Sequence, residues 1–185
     1  MEELQDYSGE FSPNRTLMDF SKEALIRLWI ATAKLYIGID GYWFTLIKEK
    51  YGYETAIELE NELWKRAAPM EFRRVAEAMN IRGNDVASLF KALQMDPGSE
   101  GVMDLEYELK DKNHGIFTVR GCRSLEYWEK YGDTQMMKDG CAIDVWAFAE
   151  YARFFNPRMK TTCLKLPPRN SPDEIACQWE FKVEE

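Results

Sequence analysis

Met103-Asp104-Leu105-Glu106-Tyr107-Glu108-Leu109-Lys110 alternates apolar and charged residues through eight positions. Successive side chains of a strand point to opposite faces, so this alternation reads as a strand with one buried and one wet face. The turn Asp111-Lys112-Asn113-His114-Gly115 leads to a second strand, Ile116 to Gly121, and the two should form an antiparallel hairpin. Lys160–Leu166 and Ala176–Val183 supply two more strands. Between them, Pro167-Pro168-Arg169-Asn170-Ser171-Pro172 is a loop that cannot join a ladder. Helices are expected over Ser124–Tyr131, stopped by Gly132, and over Ala142–Phe155, stopped by Asn156-Pro157.

Upstream of the alternating stretch the period is helical, and Asp96-Pro97-Gly98-Ser99 marks the change. Ser21 is a suitable N-cap for a first helix, with Glu23 in the first turn where it favours the dipole. Leu25, Leu28, Trp29, Leu35, Tyr36, Ile39, Trp43, Leu46 and Ile47 follow the 3–4 spacing of a buried face, Thr32 filling the gap. Gly38 and Gly41 lie inside that helix and suggest a kink or a close helix contact. Gly52 ends it. A second helix is expected over Glu54–Ala67, a third from Pro69 to Met79, and a fourth after Asn84 carrying Val86, Leu89, Phe90 and Leu93. The alternating Glu58, Glu60 and Glu62 read as solvated charge.

The expected fold is therefore α+β, a helical N-terminal half packed on a four-stranded, largely antiparallel sheet with helices on one face. Residues 1–17 read as a loose arm, 18–96 as the helical region and 101–185 as the region holding all the cysteines, in one compact unit. A net charge of −8 disfavours nucleic acid and anionic membrane as partners. The start, Met1-Glu2-Glu3-Leu4-Gln5-Asp6, lacks the positive charge and apolar core of a secretion signal, and no uncharged apolar run reaches the length of a membrane span. A cytoplasmic chain with reduced thiols is expected. The aromatic content, 14%, suits either a well-filled core or the lining of a ligand cavity.

Cys122 closes a strand pattern, Cys141 opens a helix and Cys177 begins the last strand, so three thiols stand at element ends where a fold can gather them. Cys163, in mid-strand, reads as a spectator. Cys141 and Asp144 are three apart and share a helix face. In the first turn of a helix the Cys141 thiol would be acidified by the dipole, giving a nucleophile with Asp144 as base or orienter. The same set, Cys122, Cys141 and Cys177, would also suit zinc, with His114, Asp144 or water as the fourth ligand, although no Cys-x-x-Cys occurs. The plainer alternative is four inert core cysteines. His114 itself reads as a surface turn residue. Asp40, beside Gly41-Tyr42-Trp43-Phe44, needs a hydrogen bond or a cavity if it is buried. That segment, with Trp179 on the inner side of the last strand, is a candidate ligand-facing surface in which Asp40, Trp43 and Trp179 would touch the ligand.

The runs Phe117-Thr118-Val119-Arg120-Gly121-Cys122, Cys141-Ala142-Ile143-Asp144, Thr162-Cys163-Leu164 and Cys177-Gln178-Trp179-Glu180-Phe181 resemble the thiazoline-carboxylate hydrolase-like proteins. Leu28-Trp29 and Gly41-Tyr42-Trp43-Phe44 look like a related group of uncharacterised prokaryotic cytosolic proteins, and the layout resembles vinyl-reductase-like ligand-binding domains, some of which hold zinc. The resemblance implies site roles for Cys122, Cys141, Asp144 and Cys177, and an activity that opens a C–N bond in a sulfur-containing ring. Three functions are thus expected in order: small-molecule binding in a cysteine-lined pocket between sheet and helices, C–N hydrolysis by a cysteine nucleophile, and a zinc-stabilised interaction module. A homo-oligomer is compatible with each.

Overall fold

The computed structural model of the chain describes residues 3–99 and 101–184. Its elements run α1 (Lys22–Tyr51), α2 (Tyr53–Ala78), α3 (Val86–Met95), β1 (Met103–Asp111), β2 (His114–Cys122), α4 (Arg123–Tyr131), α5 (Thr134–Phe155), β3 (Met159–Lys165) and β4 (Cys177–Val183). The sheet has the order β1-β2-β4-β3 and is antiparallel at every pairing. The α+β expectation holds, with the helical half first and the sheet after it.

The alternation that begins at Met103 does what its period requires. Asp104, Glu106 and Glu108 are exposed, while Leu105 and Tyr107 turn toward the helices. Phe117 on β2 stands opposite Trp179 on β4, which stands opposite Cys163 on β3. Phe148 of α5 lands on this row, with ring centroids 5.6 Å from Phe117 and 4.8 Å from Trp179. Behind α5, Phe72 of α2 stacks on Tyr151 at 3.8 Å. Phe72, Phe117, Trp179 and Phe181 are all fully buried, and one contiguous core joins α2, α3, α5 and the sheet. Part of the aromatic content is thus core, while Trp29, Tyr42 and Trp43 are among the aromatics left exposed.

Several elements differ from the sequence expectation, each for a local reason. The separate helices expected on either side of Pro69 are one, α2. Pro69 lacks the N–H that would bond the carbonyl of Lys65, but Ala68 and Phe72 bury on the same core and carry the helix through. The helix expected to open at Ala142 starts instead at Thr134, capped by Asp133, whose side chain accepts from the Met136 amide at 3.0 Å. Gly140 sits inside it because a Cβ there would come within 2.6 Å of the Trp128 ring. His114 is the first residue of β2, not a turn residue, and its Nε2 lies 2.9 Å from Glu180 Oε1. In the N-terminal arm, Leu4 bridges to Phe20, and Ser21 N–H donates to the Leu4 carbonyl at 2.9 Å. Met1 and Glu2 fall outside the described residues.

The largest difference concerns α1. Its side toward the protein is carried by Ile30, Ala33, Ile37 and Phe44, and of its thirty residues only Ala33 and Phe44 are fully buried. Of the stripe expected to be buried, Leu25, Tyr36 and Ile47 are half-buried, whereas Leu28, Trp29, Leu35, Ile39, Trp43 and Leu46 are exposed. Apolar residues occupy both sides of this helix, so periodicity alone could not say which side faced in.

Candidate functional site

Four thiols gather where the sheet meets α4 and α5. Cys122 ends β2 and caps α4, Cys141 lies in the second turn of α5, Cys163 is in β3, and Cys177 opens β4 opposite Val119. All four are free. Asp144, one turn beyond Cys141, exerts its field on every one of them, and Cys122, Cys141 and Cys177 act on one another.

The electrostatics run opposite to thiolate activation. Burial pushes the Cys141 and Cys177 thiols up from their ordinary value, with Asp144 adding to the effect. Trp179 Nε1–H donates to Cys177 Sγ at 3.2 Å and only partly offsets this. Cys122 is raised chiefly by burial as well, against opposing bonds from the Leu125 and Ser124 amides at the start of α4. Cys141 was expected in the first turn of a helix. It lies too far along α5 for the dipole at Thr134 to act on it, so that route to a low pKa is absent. At neutral pH these groups are thiols.

Asp144 is the unusual member. It retains some exposed surface, yet burial alone pushes its carboxyl up to about 7. Among the described residues it has no hydrogen-bond or ion-pair partner. Its oxygens still reach solvent, so the carboxyl is partly desolvated, and carboxyls raised in this way concentrate at functional sites.

The expected zinc ligands do not form a set. Among the described residues, no group of three or more His, Cys, Asp and Glu side chains is placed to hold a metal ion. His114 is engaged with Glu180 on the far side of the sheet from the helices.

The three residues expected to face a ligand are dispersed. Trp179 is fully buried against Phe148 and Cys177, so it walls the thiol cluster from below. Trp43 lies on the outer side of α1, about half exposed, away from the sheet. Asp40 turns inward and shares a hydrogen bond with Glu60, a residue expected in solvent but only 5% exposed.

Asp40 belongs to a second group that sequence reading missed. Tyr36 Oη donates to Glu71 Oε1 at 2.8 Å and Tyr151 Oη to Glu71 Oε2 at 3.2 Å. Glu71 in turn meets Asp96, the C-cap of α3, whose other bond comes from Ser99 Oγ at 3.2 Å. Burial raises the pKa of Asp40, Glu60, Glu71 and Asp96, with Glu60 reaching about 8. No Lys, Arg or His pairs with any of the four among the described residues. Through Tyr151, which feels both Glu71 and Asp144, the acid group and the thiol cluster touch the same face of α5. The one available signal was Asp40 itself, an acid inside an apolar helix.

Two surface clefts, of about 650 and 470 Å³, lie elsewhere. The first runs between Arg120, Glu129 and Arg169, the second over Thr118 and Gln178 on the outer sheet face, and no cysteine lines either. No helix among the described residues is long and apolar enough to cross a membrane.

A model of a family of unknown function, DUF6125, matches residues 18–183, and the chain belongs to that family. No curated protein and no solved structure matches.

Proposed function

We propose that this member of the DUF6125 family is a cytoplasmic small-molecule-binding protein whose ligand binds at Asp144, beside the thiols, and donates a hydrogen bond to its carboxyl. The observation that carries this reading is the isolation of Asp144: a carboxyl raised to about 7 by burial, with four thiols in its field and no protein donor. A ligand with an N–H or ammonium group would supply what the fold omits, and a soft or apolar body would suit neutral sulfur. Amidine-like and aminothiazoline-like heterocycles are the class that combines both features.

The reading is tested by thermal shift of the wild-type chain and Asp144→Asn against a panel of such heterocycles. Stabilisation of the wild type that is lost in Asp144→Asn is expected. A panel that stabilises neither, or both equally, would remove the assignment.

Asp144 also favours a second reading, hydrolysis of a cyclic or amide-like C–N bond. Its near-neutral carboxyl, one turn from Cys141, can take up the thiol proton as sulfur attacks, against the burial that holds that proton on sulfur. Sulfur would attack the ring carbon as Asp144 takes its proton, nitrogen would leave with that proton, and water would release the acyl group from sulfur. Ring opening abolished by Cys141→Ser would favour this reading over simple binding. A zinc-stabilised module has the least support, because the donors do not converge.

A further inference from the structure

We infer that α1 is the seam of a homodimer in which two copies pair along its outer face. Leu25, Thr32, Ile39 and Leu46 recur every seven residues, as do Leu28, Leu35 and Tyr42. Together they step 3–4–3–4 from Leu25 to Leu46, the spacing of a two-helix seam. This row lies opposite Ile30, Ala33, Ile37 and Phe44, which hold α1 to its own chain. Leu28, Leu35, Ile39, Tyr42 and Leu46 are 51, 61, 58, 75 and 59% exposed. A helix apolar on both sides belongs between two layers, and a single copy supplies only one.

The occupant follows from area, register and backbone. With Trp29 and Trp43 alongside, the row exposes roughly 800 Å² of apolar residues, which is what each partner of a standard interface buries and more than the largest patch of a typical monomer. The row is also self-complementary. In an antiparallel two-fold pair Leu28 stacks with Leu46 of the other copy, Leu35 with Ile39, and Thr32 with Tyr42. Thr32 Oγ1 already donates to the Leu28 carbonyl at 2.9 Å, so the Thr32 hydroxyl stays paired when the seam buries it. Beside the row, Ala31, Gly38 and Thr45 are small. A Cβ on Gly38, one turn from Leu35 and Tyr42, would meet nothing within 4 Å of its own chain, so nothing in the monomer requires glycine there. Glycine at this position costs the helix about 1 kcal/mol relative to alanine, and close approach of a second helix gives that cost a purpose. Between Leu28 and Leu46 the only charges are Lys34 and Asp40, and Asp40 turns inward to Glu60.

Sedimentation equilibrium of the full chain tests the inference. The wild type should weigh twice the 21.7 kDa of one chain. Leu35→Glu/Ile39→Glu should weaken self-association by about 100-fold or more, as removal of central anchors does, with the far-UV circular dichroism and the melting temperature of the monomer retained, since both residues are exposed in it. Leu59→Glu, an exposed apolar site on α2, should leave the dimer intact. A wild type that remains monomeric at tens of micromolar overturns the inference, as does a Leu35→Glu/Ile39→Glu chain that stays dimeric. A monomeric wild type that co-floats with phosphatidylcholine vesicles overturns it in favour of a lipid surface.

Discussion

Asp40 on α1 and Glu60 on α2 are hydrogen-bonded to each other, acid to acid, while Trp64 Nε1–H donates to Glu60 Oε1 at 3.0 Å. Such a bond needs a proton between the carboxyls. Burial first, and the Asp40 charge second, hold that proton by raising Glu60 from 4.5 to about 8.

The consequence for stability has a definite sign. A carboxyl with a higher pKa folded than unfolded keeps its proton longer in the folded state, so its contribution is complete below the unfolded value and is lost as pH rises through the folded one. The window runs from 4.5 to about 8, and Asp40, Glu71 and Asp96, also raised, act in the same direction. The urea midpoint should therefore fall steadily across this window. Glu60→Gln keeps an acceptor for Trp64 without the charge, so it should flatten the profile and be more stable than wild type above the window by about 1–3 kcal/mol. A wild-type midpoint that rises with pH over the same range would contradict the paired-acid geometry.

The thiol cluster makes a kinetic prediction. Because burial and Asp144 raise Cys141 and Cys177, both should react with iodoacetamide at neutral pH about tenfold or more slowly than free cysteine. Asp144→Asn removes the like charge, so Cys141 alkylation should accelerate several-fold in that variant. Mass spectrometry of the labelled peptides reads each site separately, with urea-unfolded protein as the reference in which all four react.

The strands were legible because β1 has one wet and one dry face, and alternation then has a single meaning. The seam between α1 and the rest was not. Leu28 and Leu35 on one side of that helix and Ile30 and Ile37 on the other carry the same chemistry, and choosing the inner row needed partners from Phe44–Tyr53 and the segment near Gly101. The start of α5 was missed because Gly140 reads as a breaker until Trp128 is seen to occupy the space of its side chain. The gathering of thiols could be anticipated from their places at element ends, whereas the direction of their pKa shifts depends on burial that no spacing records. Glu60, Glu71 and Asp96 carried no signal, since an isolated acid in a helix or before a proline is ordinarily solvated.

Phe72 ties the helical half to α5. It is fully buried, stacks on Tyr151 at 3.8 Å and meets Phe155 edge-on at 6.4 Å. Truncating such a ring removes its transfer energy and leaves a cavity, so Phe72→Ala should cost about 3–5 kcal/mol in urea unfolding. Tyr151 would also lose the surface that orients its hydroxyl toward Glu71; that bond holds the Glu71 carboxyl down against burial, so its loss should steepen the pH dependence described above in the same variant.

Arg169 supplies the corresponding tie for the proline-rich loop. Its Nε and Nη2 each donate to a separate Glu129 oxygen at 2.8 Å, and Nη1 donates to the Pro172 carbonyl at 3.0 Å. The Arg169 side chain is only 4% exposed, so this pair is screened far less than a surface bridge. The geometry is a planar fork on a carboxylate, which lysine cannot reproduce. Arg169→Lys should therefore retain the charge but lose the loop's anchorage, at a cost of about 1.5–3 kcal/mol. Limited proteolysis should show faster cleavage between Pro168 and Glu174 in Arg169→Lys and in Glu129→Gln. If the double variant is no worse than either single one, the two side chains act as one unit; additive costs would mean that the loop is held chiefly by Lys165 and Asn170, whose side chains each bond Glu174 at 3.0 Å.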